Sequence, residues 1–200
     1  MNIQTLTGLS GISLLFSVIL LRVLLSLKVK QQTAYIGAII IFAVSFIPIF
    51  GISGNYYIRG LCNDLSITTL ILMTYYVISP HDSRSQSRPL LFLITITGLF
   101  FYPAALGFGP IDPYAWGFLN QNQGLFSPLI LLIILAILMY IAFKKQYILL
   151  LLCLVLAPFA YQTGILESKN IWDYLLDPVI FFYALVVSAI HNPFRKNLRL

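Results

Sequence analysis

The chain has 200 residues, 60% of them hydrophobic and only 9% charged, with a formal net charge of +6. Soluble domains carry about 25% charged residues, so this composition cannot dress a water-exposed surface, and a mean hydropathy of +0.92 excludes a soluble enzyme or binding module. The basic excess does not mark a nucleic-acid partner, because the cations lie in short turns rather than on one stripe and no nucleic-acid motif stands beside them.

Apolar runs of bilayer-crossing length alternate with short polar segments. They predict an all-α integral membrane protein in which residues 1–200 form a single polytopic domain. Seven transmembrane helices are expected, at about 9–27, 34–50, 65–79, 90–106, 127–143, 147–163 and 174–190. MNIQTLTGLSG has no Lys or Arg ahead of the first run and no small-residue cleavage site follows it, so this run is expected to be retained as a helix, not removed as a signal peptide. Ser13 and Ser17 form a small-xxx-small pair able to seat another helix closely, from this chain or from a partner. Arg22 is expected to snorkel to the inner headgroups.

The turns alternate in charge. Lys28 and Lys30 follow the first helix, Arg84 and Arg88 the third, Lys144 and Lys145 the fifth, and Arg195, Lys196 and Arg199 the seventh. The other turns hold only Arg59 and Lys169. The positive-inside rule then puts the N-terminus outside and the C-terminus in the cytoplasm. Asp82 alone among the acids faces inward, while Asp64, Asp112, Glu167, Asp173 and Asp177 fall on outer turns or helix ends. Pro48, Pro103 and Pro158 recur at equal spacing, each followed by a glycine (Gly51, Gly107, Gly164), as a lone helix followed by three helical hairpins would produce.

The distinctive chemistry is concentrated in three outer segments, GISGNYYIRGLCND (51–64), GFGPIDPYAWGFLNQNQG (107–124) and GILESKNIWD (164–173). Asp112-Pro113 and Asp177-Pro178 match an Asp N-cap with Pro at the first helical position; Asn63 or Asp64 is expected to cap the third helix, and Ser127-Pro128 to start the fifth. A helix beginning only at Pro178 is short for a bilayer, so the seventh is expected to start near Asp173 and bend at Pro178, with Asp173 and Asp177 on one helical face. Arg59 is the leading candidate for ligand contact, either pairing with Asp64, Asp112, Glu167 or Asp173 or holding a phosphate headgroup as a planar fork. Tyr56, Tyr57, Tyr114, Trp116 and Trp172 suit an interfacial belt. The run Asn120 to Gln123 suits loop solvation.

His81, His191, Cys62 and Cys153 show no metal-ligand spacing, and no nucleophile, phosphate-loop or dinucleotide motif is present, so no metal and no cofactor is expected. No acid lies at a helix centre, which disfavours an ion-coupled carrier. The resulting expectation is a non-catalytic accessory or scaffold subunit in a plasma membrane, specifically a bacterial inner membrane. Membrane lipids and a membrane-protein partner would be its contacts. Arg59, Asp64, Asp112, Tyr114, Trp116, Glu167, Trp172, Asp173 and Asp177 form the candidate surface for a partner or headgroup. Two alternatives stand beside it. One is an intramembrane enzyme working on a lipid-linked substrate at the outer leaflet. The other is a small lipid or solute transporter with a polar path drawn from Ser66, Thr69, Thr95 or Thr97.

Overall fold

The computed structural model describes residues 2–49, 51–79, 83–119 and 126–190. His81, His191, Asp82, the run Asn120 to Gln123, and Arg195, Lys196 and Arg199 lie outside the described residues, as does the Ser127 side chain.

The protein is all-α apart from one antiparallel pair of two-residue strands. A helix lies within each apolar run: α1 (Ile3–Ser26), α2 (Gln31–Val44), α4 (Ile67–Ile78), α5 (Ser83–Pro103), α6 (Phe126–Lys144), α7 (Ile148–Thr163) and α9 (Pro178–Ile190). A short helix, α3 (Gly54–Cys62), occupies a segment expected to be loop, and another, α8 (Trp172–Leu175), stands where the seventh helix is expected to start. Among the described residues two helices, Ile3–Ser26 and Ser85–Phe108, are long and apolar enough to cross a membrane; the other apolar helices, with α6 counted over Leu129–Lys144 where its side chains are described, have 10–17 residues.

Several boundaries depart from the sequence expectation for identifiable reasons. Helix α1 starts at Ile3 because its polar first turns are bonded: Gln4 Nε2 donates to the Gly164 carbonyl at 3.0 Å. Helix α2 ends at Val44 instead of running to residue 50, since Pro48 disfavours helical backbone at the residue before it. Strands β1 (Pro48–Ile49) and β2 (Ile52–Ser53) then reverse the chain through Gly51, at φ 89°. Helix α5 begins at Ser83, well before residue 90, and Gln86 accepts from Ile148 N at 3.1 Å, tying its first turn to that of α7. Its far end widens into a π-turn over Ala104–Phe108, closed by Gly107 at φ 86°. The glycines Gly51, Gly107 and Gly164 all have positive φ, yet Pro48 lies in a strand, Pro103 ends a helix and Pro158 sits inside one. The three sites therefore share a glycine conformation and not a structure.

Packing is layered. The largest core joins α4 to α9, with Leu72, Leu90, Leu131, Leu150, Tyr174 and Phe181 among its buried side chains. Helix α1 flanks it through Ile12, Leu65 and Met73, and α2 packs on α1 through Leu21, Ala34 and Ala38. Ser13 and Ser17 do seat a helix, and it is this chain's own. Ser17 Oγ donates to the Ala38 carbonyl at 2.9 Å, while Ser13 Oγ receives Ser45 Oγ at 2.7 Å and Asn55 Nδ2 at 3.0 Å. Large apolar side chains remain on outward faces, including Ile36, Ile39 and Ile40 of α2 and Ile133, Ile137 and Phe143 of α6.

Candidate functional site

One end of the bundle gathers the segments 45–66, 107–119 and 164–177, and with them every candidate residue. Three bonded nodes organise it.

The first centres on Arg59 in the last turn of α3. Its Nε donates to Asp64 Oδ1 at 2.6 Å and its Nη2 to Asp64 Oδ2 at 3.1 Å, a planar fork on a carboxylate. Nη2 also meets Glu167 Oε1 at 2.7 Å. Asp64 is buried behind the guanidinium at 5% side-chain exposure, whereas Glu167 is 52% exposed. Of the four carboxylates considered for Arg59, the structure selects Asp64 and Glu167. The Asp64 bond, with Glu167 behind it, raises the Arg59 pKa above its ordinary value, and Arg59 in turn holds the Glu167 carboxyl below the usual range. Gly8 of α1 makes the approach possible: a Cβ there would lie 2.0 Å from Asp64 Oδ1 and 2.5 Å from Arg59 Nε. Asp64 is thus no helix cap. The N-cap of α4 is Ser66, whose side chain accepts from Thr69 N at 3.2 Å.

The second node is Asp177, buried where the N-termini of two short helices meet. Oδ1 accepts from Ile180 N at 2.9 Å, the expected cap of α9. Oδ2 accepts from Ser66 N at 2.8 Å and from Thr69 Oγ1 at 2.5 Å, joining α9 to the start of α4. Both helix dipoles present their positive ends to this one carboxylate.

The third node clasps 113–117 to 168–173. Asp173 Oδ2 accepts from Tyr114 Oη at 2.9 Å and from Ser168 Oγ at 2.5 Å. Fully buried Asn170 donates through Nδ2 to the Tyr114 carbonyl at 2.9 Å, and Ile171 N donates to the Gly117 carbonyl at 3.0 Å. Trp172 Nε1 donates to the Pro113 carbonyl at 2.8 Å, and its ring lies 4.6 Å from that of Phe101. Trp172 also closes an apolar cavity of about 100 Å³ whose walls include Thr97, Leu135 and Cys153. Partial burial, then the neighbouring Asp173 charge, pushes the Tyr114 phenol up to about 12, so it stays a donor. Asp112 accepts from Tyr114 N at 2.9 Å, a turn leading into the 3₁₀ turn Ala115–Gly117 that carries half-buried Trp116.

Asp173 and Asp177 do not share a helical face. Leu176 between them is extended, with φ −143° and ψ 134°, so α8 stops and α9 restarts. Pro178 favours that break, since it disfavours helical backbone at Asp177 before it and has no N–H to continue the ladder, and the two carboxylates face different nodes.

The residues considered for a transport path separate likewise. Ser66 and Thr69 bond Asp177, Thr95 Oγ1 lies 3.0 Å from Ser188 Oγ, and Thr97 stands in the wall of the apolar cavity. Arg22 does not simply reach for headgroups: its guanidinium carbon lies 4.7 Å from the centre of the Tyr76 ring. Asn55, Ser66, Thr69 and Asn170 went unremarked as bonding residues in the sequence, although Ser66-x-x-Thr69 ahead of an apolar run is an N-cap pattern. No protein family, no curated protein and no solved structure matches this chain.

Proposed function

We propose that this chain is a multipass membrane protein crossing seven times, N-terminus outside and C-terminus cytoplasmic, in a plasma membrane of the bacterial inner-membrane kind. It serves as a non-catalytic accessory or scaffold subunit, and its loop-rich outer face holds a membrane-protein partner or a lipid headgroup.

The observation that carries the non-catalytic reading is the state of the five acids on this face. Asp64 is forked by Arg59, Glu167 is bonded by Arg59, Asp177 receives three donors, Asp173 receives two hydroxyls and Asp112 closes a turn. Each carboxylate serves as a structural acceptor, four of them between segments of the fold and Asp112 within its own turn. No pair of them stands poised across a cleft for general acid–base work.

Membrane embedding is supported by the exposed apolar faces of α2, from Ile36 to Val44, and of α6, from Leu129 to Phe143. Helices α4 and α9 measure only about 18 and 20 Å, short of a hydrocarbon core of about 30 Å. In a bilayer their N-termini would sit below the outer surface. The 164–177 segment that fills that level is largely buried, with Leu166, Asn170, Ile171 and Tyr174 at or below 1% exposure. Its backbone is bonded to 113–117, as irregular chain at membrane depth must be.

Native mass spectrometry of the protein extracted in mild detergent from its host tests the subunit role. A stoichiometric protein companion is the expected result; a lone chain that chemically alters a copurifying lipid-linked compound would overturn it. Topology is read from the chain's own thiols. Partly exposed Cys62 should react with an impermeant maleimide in right-side-out vesicles, and buried Cys153 should not. Labelling of Cys62 confined to inverted vesicles would reverse the orientation.

A further inference from the structure

Beside the Arg59 node opens a cleft of about 350 Å³, lined by Tyr56, Arg59, Gly60, Leu61, Asn63 and Glu167. Charge around it does not balance, since one guanidinium faces two carboxylates. Asp64 is spent, buried in its fork with Arg59. Glu167 is exposed and forms part of the cleft wall, and its bonds to Arg59 and Thr5 both fall on Oε1. Its Oε2 takes no hydrogen bond among the described residues.

The end of α3 adds an independent feature of the same sign. Past its last turn, Asn63 N donates to the Arg59 carbonyl at 2.8 Å, while the Gly60 and Leu61 carbonyls accept no backbone N–H among the described residues. Asn63, at φ 63° and ψ −165°, turns the chain away without the two closing bonds that usually cover such carbonyls. They form the negative end of the helix dipole. Tyr56, 47% exposed, supplies an aromatic ring to the same cleft, and such rings attract cations.

A carboxylate oxygen with no hydrogen bond, two unpaired carbonyls and an aromatic ring all favour a compact cation rich in N–H donors. An anion would meet surplus negative charge. We infer that this cleft binds a primary ammonium group, with Glu167 as its counter-ion, the Gly60 and Leu61 carbonyls as further acceptors and Tyr56 as its aromatic wall. Leu61 and Tyr57 stand exposed on the same short helix, beside the cleft. The ammonium can therefore arrive as the headgroup of an aminophospholipid or as a free primary amine. The lipid source rests on the membrane reading proposed above.

The test uses the purified full chain. Retention of phosphatidylethanolamine, phosphatidylcholine and phosphatidylglycerol is compared by native mass spectrometry, and free ethanolamine binding is measured separately. The ethanolamine lipid should be retained about tenfold over the other two, the size of one charge-assisted hydrogen bond. Glu167→Gln, which keeps the length and an acceptor for Arg59, should abolish that preference. Tyr56→Leu should weaken it while leaving the melting temperature unchanged. Binding of free ethanolamine that Glu167→Gln abolishes, with no preference among the lipids, assigns the site to a soluble amine and upholds the ammonium inference. Equal retention of all three lipids with no ethanolamine binding overturns it, as does a preference that survives Glu167→Gln. Carbonate washing of host membranes separates the two levels: protein that stays in the pellet but ignores ammonium refutes this inference alone, and protein released by carbonate refutes the membrane reading and the lipid source with it.

Discussion

Asp177 offers the sharpest test of how this end of the protein is held. Its two oxygens accept from Ile180 N, Ser66 N and Thr69 Oγ1 in a site the structure buries almost completely, at 4% exposure. Asp177→Asn keeps the shape and removes the charge. Whichever way the amide is turned, its NH₂ meets either Ile180 N or the Ser66 and Thr69 donors, so at least one N–H loses its acceptor. Loss of one charge-assisted bond and the stranding of a buried donor together cost about 2–4 kcal/mol. Part is recovered because Thr69 Oγ1 lies 3.0 Å from Ser66 Oγ and can turn to it. At about 2–4 °C per kcal/mol for a chain of this size, the melting temperature should fall by roughly 4–16 °C. In a Cys62→Ser background a thiol-reactive dye follows this in detergent, since Cys153 is 2% exposed until the bundle opens. Thr69→Val, which deletes the hydroxyl shared between Asp177 and Ser66, should cost about 1 kcal/mol, and the double variant should cost less than the sum. A melting temperature for Asp177→Asn within about 1 °C of the parent, or strict additivity with Thr69→Val, would refute the convergent carboxylate.

Gly8→Ala should destabilise by several kcal/mol or prevent folding, because the new methyl meets the Arg59–Asp64 pair, whereas Gly60→Ala, with nothing within 4 Å of its Cβ position, should stabilise by about 0.5–1 kcal/mol; melting curves that rank the two variants the other way exclude this close approach. Gln146 sits at φ 56° in the turn between α6 and α7, closed by Gln146 N to Phe143 O and Tyr147 N to Ala142 O, so Gln146→Gly should raise stability by about 1 kcal/mol, and a lowered melting temperature would contradict the left-handed assignment. The Glu167 carboxyl is held below its ordinary value by Arg59. Because the folded value is the lower one, its contribution is present above the ordinary value of about 4.3 and is lost as pH falls through the depressed value. The pair is half-exposed and screened, worth under about 1 kcal/mol. The melting difference between the parent and Glu167→Gln should therefore stay level from neutral pH down to about 5 and shrink below it; a difference that widens on acidification would reverse the sign.

The sequence announced the apolar helices because their signal is local: long apolar runs bounded by charge and proline report themselves whatever they pack against. It reported the placing of four of the six acids and both tryptophans in three segments for the same reason. It also ranked Arg59 first among the cations, since a guanidinium in NYYIRG has few ways to be satisfied. Partner choice was not local. Asp64 read as a cap because it precedes a helix, but Arg59 five residues earlier takes it, and Ser66 caps instead. Asp173 and Asp177 read as one face because helical spacing was assumed across Leu176, where the backbone is extended instead. Ser13 and Ser17 were legible as a close-packing stripe, though not as the seat of α2.

Composition and periodicity by themselves thus determined that the chain is helical and largely apolar, with four of its six acids in the three segments 51–64, 107–124 and 164–173. Tertiary structure alone decided that Arg59 belongs to Asp64 and Glu167, that Asp177 bridges α4 to α9, and that buried Asn170 clasps two distant segments. The physical reason is the range of each interaction. Helix formation and apolar burial are written in neighbouring residues, while a hydrogen bond across a hundred positions depends on where the packed helices bring their ends.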